Sequence, residues 1–240
     1  MNYHKFAKTY SYSRISRYLK AAKGNKKKAQ EMYYANARIA RSFQPLISFL
    51  EVVLRNQLHY ALAKHFGDVQ WLVNQKSGFM SHPSLTHVTK KTGKIKVNDF
   101  LKKEVERSER VLTEKGRNIT SGRIIAELNL GFWNSLYEKH HYSLLSGVPC
   151  TIFNDLPAGI GRKKINQIVI QIRKMRNRIS HNEPLCFEDR RFSTTYIREM
   201  YTIICNFMTW LNPDVISEIN KERLDQVKSE IIATEKIIKE

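Results

Sequence analysis

Residues 161–184 read GRKKINQIVIQIRKMRNRISHNEP, and the periodicity of this stretch decides the fold. Apolar side chains fall at Ile165, Ile168, Ile172, Met175 and Ile179. Spacings of three and four place them on one stripe of an α-helix, not on one face of a strand. Pro184 ends the pattern, since the residue before a proline is biased out of the helical region. The opposite face is polar. At about 100° per residue, Asn177 and His181 stand about 40° apart on the side away from the stripe. Arg176 lies on the flank, roughly 140° around the axis from His181. An asparagine and a histidine stacked i, i+4 beside an arginine make a polar site on a rigid element.

Toward the N-terminus the chain continues as helix after helix. LPAGIG (156–161) is a break, and IIAELNLGFWNSLYEKHHY (124–142) reads as one helix capped by Thr120 or Ser121, with Gly131 as a close-packing or kink point. Asp99–Glu114 reads as a charged helix with Phe100, Leu101, Val105 and Leu112 inward. Residues 76–98 hold Gly78, Pro83 and Gly93 and read as a loop or variable insertion. Leu46–His65 reads as a long helix opened by Pro45 and stopped at Gly67. Lys26–Phe43 and Ser13–Ala22 precede it, split by Gly24 and Asn25. On the other side, Phe192–Leu211 is an apolar helix ended by Asn212-Pro213. In Asp214–Glu240, Val215, Ile219, Val227, Ile231 and Ile238 recur near helical spacing, which predicts an amphipathic helix docked on the body or on a second chain. With no convincing alternating strand and no internal repeat, the expected fold is all-α, one domain over 1–213 with a C-terminal charged helix over 214–240.

Charge narrows the function. The 240 residues carry a net +19, with 42% hydrophobic and 26% charged residues, a globular composition. Residues 1–50 contain eleven Lys or Arg against one acid, Glu31, and residues 161–181 contain seven against none. Two such runs point to a polyanion, with RNA or DNA as first candidate. The residues expected to meet phosphates are Lys26, Lys27, Lys28, Arg162, Lys163, Lys164, Arg173, Lys174 and Arg178. No apolar run approaches the roughly 18 residues of a membrane span, and the basic, aromatic N-terminus lacks an apolar signal core, so a cytoplasmic protein without a membrane partner is expected. Cys150, Cys186 and Cys205 are too dispersed for a zinc or redox motif.

Other patterns are less specific. Glu51, Arg55 and His59 share a helix face at i, i+4, i+8, with Asn56 alongside. They form either a modest ion pair plus a partly buried histidine or a second polar row facing RNA. His140-His141 reads as a surface pair, and no metal site is expected. Phe132-Trp133 and Tyr33-Tyr34 sit at helical spacing and suit a core better than base stacking. Glycine-rich phosphate loops, H-E-x-x-H and G-x-S-x-G are missing, which argues against nucleotide-driven, zinc-protease and serine-hydrolase chemistry.

RNRISH (176–181) resembles the R-N-x-x-x-H motif of HEPN ribonucleases, and RNRISHNEP looks like the form it takes in the Abi-like (abortive infection) family. SRISRYLKAAKGNKKKAQEMYYANARIARSFQPLISFLEVVLRNQLH (13–59) resembles that family's N-terminal half and IIAELNLGFWNSLYEKHHY its central helix, so the likeness covers about residues 13–211. Many relatives carry a second histidine where Asn182 stands. The resemblance implies a HEPN-like helical domain with added N-terminal helices, acting as a metal-independent endoribonuclease without cofactor and usually dimeric. His181 would exchange a proton with the ribose 2′-OH or the leaving oxygen, Arg176 would hold the scissile phosphate, and Asn177 would position the imidazole or the phosphate. It also implies phage defence or a toxin–antitoxin role, with RNA as substrate and a protein antitoxin or a structured inhibitory or guide-like RNA as restraint. The rival reading is a non-catalytic RNA-binding module that uses the same residues to grip phosphate.

Overall fold

The computed structural model describes residues 2–89, 92–214 and 221–239. It is all-α: the described residues form eleven α-helices, with a few short strands, and 71% helix. The chain forms two compact units, Met1–Leu50 with Gln171–Glu240, and Glu51–Ile170. Both cuts fall inside long helices, α3 (Lys26–Phe66) and α9 (Arg162–Ser180).

In the first unit, α1 (Tyr3–Tyr10) and α2 (Tyr12–Ala21) precede the N-terminal part of α3. Phe6, Ala7 and Ile15 are fully buried beneath Tyr3, Tyr10 and Tyr33. The C-terminal part of α9 leads into a small hairpin, and α10 (Thr195–Leu211) follows with Ile197, Met200, Ile204, Phe207 and Leu211 buried. The tail helix α11 (Lys221–Lys239) buries Leu224, Val227 and Ile231 within this unit. Arg38 Nε donates to Glu230 Oε2 at 3.1 Å, and Arg198 Nε and Nη2 clasp both oxygens of Glu235 at 2.5 and 2.6 Å. Val227 and Ile231 are thus inward as their spacing predicts, while Val215 and Ile219 lie outside the described residues.

The second unit holds α4 (Trp71–Asn74), α5 (Phe100–Glu114), α6 (Ser121–Glu127), α7 (Leu130–Ser135) and α8 (Lys139–Leu144), with parts of α3 and α9. Its core contains Trp71, Phe132, Trp133 and Tyr137, the last donating its hydroxyl to the Pro149 carbonyl at 2.9 Å.

The structure departs from the sequence reading at four places. Lys26–Phe66 is one helix of 41 residues with Pro45 inside it, not two helices. Proline removes one backbone donor, and Arg41, whose carbonyl loses that bond, is exposed together with Pro45, on the solvent side of the helix. Ile39, Phe43, Leu46, Ile47 and Leu50 are buried on both sides of the proline, and their burial outweighs its cost of about 3 kcal/mol. Second, the stretch 121–144 is three short helices. Leu128 is extended, and Asn129 restarts the chain by accepting from the Gly131 and Phe132 amides at 2.7 and 3.3 Å. Thr120 does cap α6, accepting from Arg123 N. Third, the stretch 76–98 contains an antiparallel hairpin, β1 (Thr86–Val88) with β2 (Ile95–Val97), exposed on both faces. Fourth, Phe100 is 41% exposed, and Ser108 is buried instead in line with Leu101, Val105 and Leu112, its hydroxyl satisfied by the Glu104 carbonyl.

Candidate functional site

Helix α9 presents its stripe inward as expected: Ile165, Ile168, Ile172, Met175 and Ile179 are all buried. On the other side Asn177 and His181 are exposed and Arg176 is half-buried. Arg176 Nη1 lies 3.5 Å from Asn177 Oδ1. Although α9 ends at Ser180, the His181 amide still donates to the Asn177 carbonyl at 2.9 Å, so the histidine keeps helical register one turn after the asparagine.

The helix then stops in a defined way. Asn182 takes a left-handed conformation (φ 51°), its amide donates to Ile179 O at 3.0 Å, and the Glu183 amide donates to Arg178 O at 2.7 Å. These are the paired bonds of a Schellman motif, and Pro184 follows where a proline is expected. Asparagine is the non-glycine residue that best tolerates this position. The position is therefore backbone-critical whatever else its side chain does.

Residues from the N-terminal helices fasten this end of α9. Arg14 Nη1 on α2 donates to the Asn182 carbonyl at 2.7 Å, and Arg17 Nη2 donates to the Asp189 carbonyl at 2.8 Å. Buried Asn36 on α3 accepts from the amides of Leu185 and Cys186 at 2.6 and 3.0 Å. The chain next pairs β3 (Phe187–Glu188) with β4 (Arg191–Phe192), and Phe187 packs edge-on to Tyr18 with ring centres 5.1 Å apart. Burial pushes the Cys186 thiol up to about 12, so it is an inert core group.

Beside this end lies a cleft of about 360 Å³, lined by Arg14, Tyr33, Asn36, Arg41, Gln44 and Pro45 together with Ile179, Asn182 and Glu183. Two arginines, an aromatic ring and a side-chain amide are the groups that hold a nucleotide. Nothing in the sequence periodicity marks this cleft, because its residues come from α2, α3 and the turn after α9. The signal that was available is that Arg14, Arg41 and Gln44 are polar positions between buried turns of their own helices.

The basic residues divide. Lys26, Lys27, Lys163, Lys164 and Lys174 are exposed, and Lys28 and Arg173 are half-buried. Arg162 is committed inside its own unit, donating to the Tyr137 carbonyl at 2.8 Å. Arg178 is also turned inward. Its guanidinium lies 4.7 Å from the Tyr196 ring centre, donates to the Pro184 carbonyl and sits 4.0 Å from Glu183 Oε2. It props the turn after the motif, and its charge faces an aromatic ring instead of open solvent.

The row Glu51, Arg55, Asn56 and His59 is half-buried throughout. His59 Nδ1 accepts from Trp71 Nε1 at 3.0 Å, and burial lowers the histidine's pKa, which keeps it neutral. His59 therefore acts as a packed hydrogen-bond acceptor. The pair His140-His141 differs from the expected surface pair. His141 is 1% exposed, and Glu138, two residues before His140, stands against it. The polar run masked this because the break between α7 and α8 turns it inward.

The family profile described as Abi-like protein matches residues 1–186, most of the chain and the whole of RNRISHNEP. The chain belongs to the Abi-like family. The match covers α1 to α9 and the Schellman turn, and α10 and α11 lie beyond it. No curated protein and no solved structure matches the chain. Among the described residues of this Abi-like protein, no helix is long and apolar enough to cross a membrane.

Proposed function

We propose that this Abi-like protein is a HEPN-type endoribonuclease acting in abortive infection or as the toxin of a toxin–antitoxin pair. The observation that carries the reading is that Arg176, Asn177 and His181 stay solvent-accessible on the last turn of a helix whose other side is buried, next to a cationic cleft. Family membership supports the defence role.

In the proposed reaction the His181 imidazole takes the proton of a ribose 2′-OH. The 2′-oxygen attacks the neighbouring phosphorus, the P–O5′ bond breaks, and the departing oxygen takes a proton from an imidazolium. Arg176 offsets the charge that develops on the phosphoryl oxygens, and Asn177 orients its neighbours. Products end in a 2′,3′-cyclic phosphate and a 5′-OH. The adjoining nucleotide enters the cleft, where Arg41 offers charge beside Arg14, itself fastened to the Asn182 carbonyl. Restraint by an antitoxin, protein or structured RNA, belongs to the same proposal, and so does the cytoplasm as its place of action.

The test is cleavage of labelled RNA with EDTA present. His181→Ala and Arg176→Ala are each expected to slow cleavage by about 10²–10⁴-fold with the helical circular dichroism unchanged. Cleavage at the parental rate by either folded variant overturns the site assignment. RNA binding by all three proteins with cleavage by none leaves the phosphate-gripping module as the reading.

A further inference from the structure

In the second unit, one donor atom each from Glu138, His140 and His141 lies within 4.8 Å of the other two. His141 is almost fully buried, and its Nδ1 is 2.9 Å from the Ser135 carbonyl oxygen. A carbonyl only accepts, so Nδ1 carries the hydrogen and the neutral ring leaves a bare lone pair on Nε2. That Nε2 is buried and makes no hydrogen bond, and neither does the buried Nε2 of His140. Each such nitrogen left without a partner carries a desolvation cost that nothing offsets.

The neighbours cannot relieve it, because they too are acceptors. The Asn98 carbonyl faces the His141 ring. Glu138 Oε2 lies 3.3 Å from His140 Nε2, and the two imidazole centres are 4.1 Å apart. Glu138 precedes α8 without making a side-chain cap, so its carboxylate is not engaged there. Its other oxygen accepts from Ser135 Oγ at 3.4 Å, which steadies the carboxylate from behind. Lone pairs converge where donors are missing.

We infer that Glu138, His140 and His141 bind one divalent transition ion of the zinc class. Two neutral imidazoles and a carboxylate are a donor set zinc accepts, with bonds of about 2.0–2.1 Å. In tetrahedral geometry such bonds put neighbouring donors about 3.3–3.4 Å apart, and the His140–Glu138 separation already has that length. The Ser135 carbonyl on Nδ1 fixes the His141 tautomer, as outer partners do for metal-binding histidines. Three protein donors leave a fourth position to water. The three donors belong to Glu51–Ile170 and include no residue of the Arg176–His181 motif.

The test uses the full chain, stripped of metal and titrated with Zn²⁺, and with Co²⁺ for its visible spectrum. Expected are one Zn²⁺ per chain with micromolar or tighter affinity, a tetrahedral-type Co²⁺ spectrum and a higher melting temperature with Zn²⁺. Glu138→Gln and His140→Ala, at partly exposed positions, should each weaken binding at least tenfold with helical content retained, while His181→Ala binds as the parent does. Substoichiometric binding by the parent, undiminished affinity in both variants, or loss of the ion in His181→Ala overturns the inference. The RNA assay runs in EDTA and reads a different set of residues, so either proposal can fail alone.

Discussion

Asn36 shows how one side chain holds the motif without belonging to it. It is 7% exposed, and its Oδ1 takes both the Leu185 and Cys186 amides just past the turn that follows His181. Replacing it by alanine leaves two buried backbone donors without an acceptor, each costing roughly 1–3 kcal/mol. Asn36→Ala is expected to destabilise the protein by roughly 2–4 kcal/mol, read as a lower denaturation midpoint. An unchanged midpoint would mean that the segment after Pro184 is held some other way. Asn36 escapes a sequence reading because an asparagine on a helix looks solvent-facing until its partners, about 150 residues away in the chain, are known. The histidines teach the same lesson from the other side: HHY reads as surface, yet His141 is buried because the break between α7 and α8 redirects the chain.

At the scale of elements, periodicity works where one helix has one buried stripe and fails where a break is local. Helix α9 follows its stripe residue by residue, and α10 starts close to the expected position. Pro45 misleads because proline reads as a boundary, whereas here the burial of neighbouring turns carries the helix through it. Helix α11 depends on charge as well as burial. The Arg198 guanidinium, seconded by Thr194 and Lys239, holds the Glu235 carboxyl below the usual carboxylate range against the upward pull of burial. An acid whose folded pKa lies below its unfolded one stabilises the fold above the unfolded value, and that stability is lost as pH falls through to the folded one. The protection of α11 amides, relative to their intrinsic exchange rate at each pH, is therefore expected to fall as pH drops through the carboxylate range. Glu235→Gln should remove that pH response and cost about 1 kcal/mol at neutral pH, since the pair is partly exposed. A pH response as strong in Glu235→Gln as in the parent would assign the docking to the apolar contacts of Leu224, Val227 and Ile231 alone.

For the whole molecule, the geometry of one helix raises the question of how a single phosphate meets both charged members of the motif. Arg176 and His181 are roughly 140° apart around α9, too far to converge easily from one chain. A two-fold partner laid against the same polar face would bring the opposing His181 near this chain's Arg176, since a C2 contact uses one patch twice. Such a homodimer would also supply a second imidazole to protonate the leaving oxygen. Mixing His181→Ala chains with Arg176→Ala chains should then restore part of the cleavage that each lacks alone. No recovery on mixing, or full activity in a monomer at working concentration, overturns the shared site.

The sequence by itself determined what depends on local pattern. It determined the all-α class, the stripe of α9 with Arg176, Asn177 and His181 on its polar side, and the strongly cationic character. These follow from helical periodicity, caps and formal charge, which need no knowledge of distant residues. Only the tertiary structure decided which polar groups are surface and which are fittings. It turned Arg178 onto Tyr196 and made His59 an acceptor for Trp71. It set Arg14 and Arg41 around one cleft and gathered the lone pairs of Glu138, His140 and His141. A charge or a lone pair shows its residue type in the sequence, but its energy is set by what surrounds it, and most of those neighbours come from elsewhere in the chain.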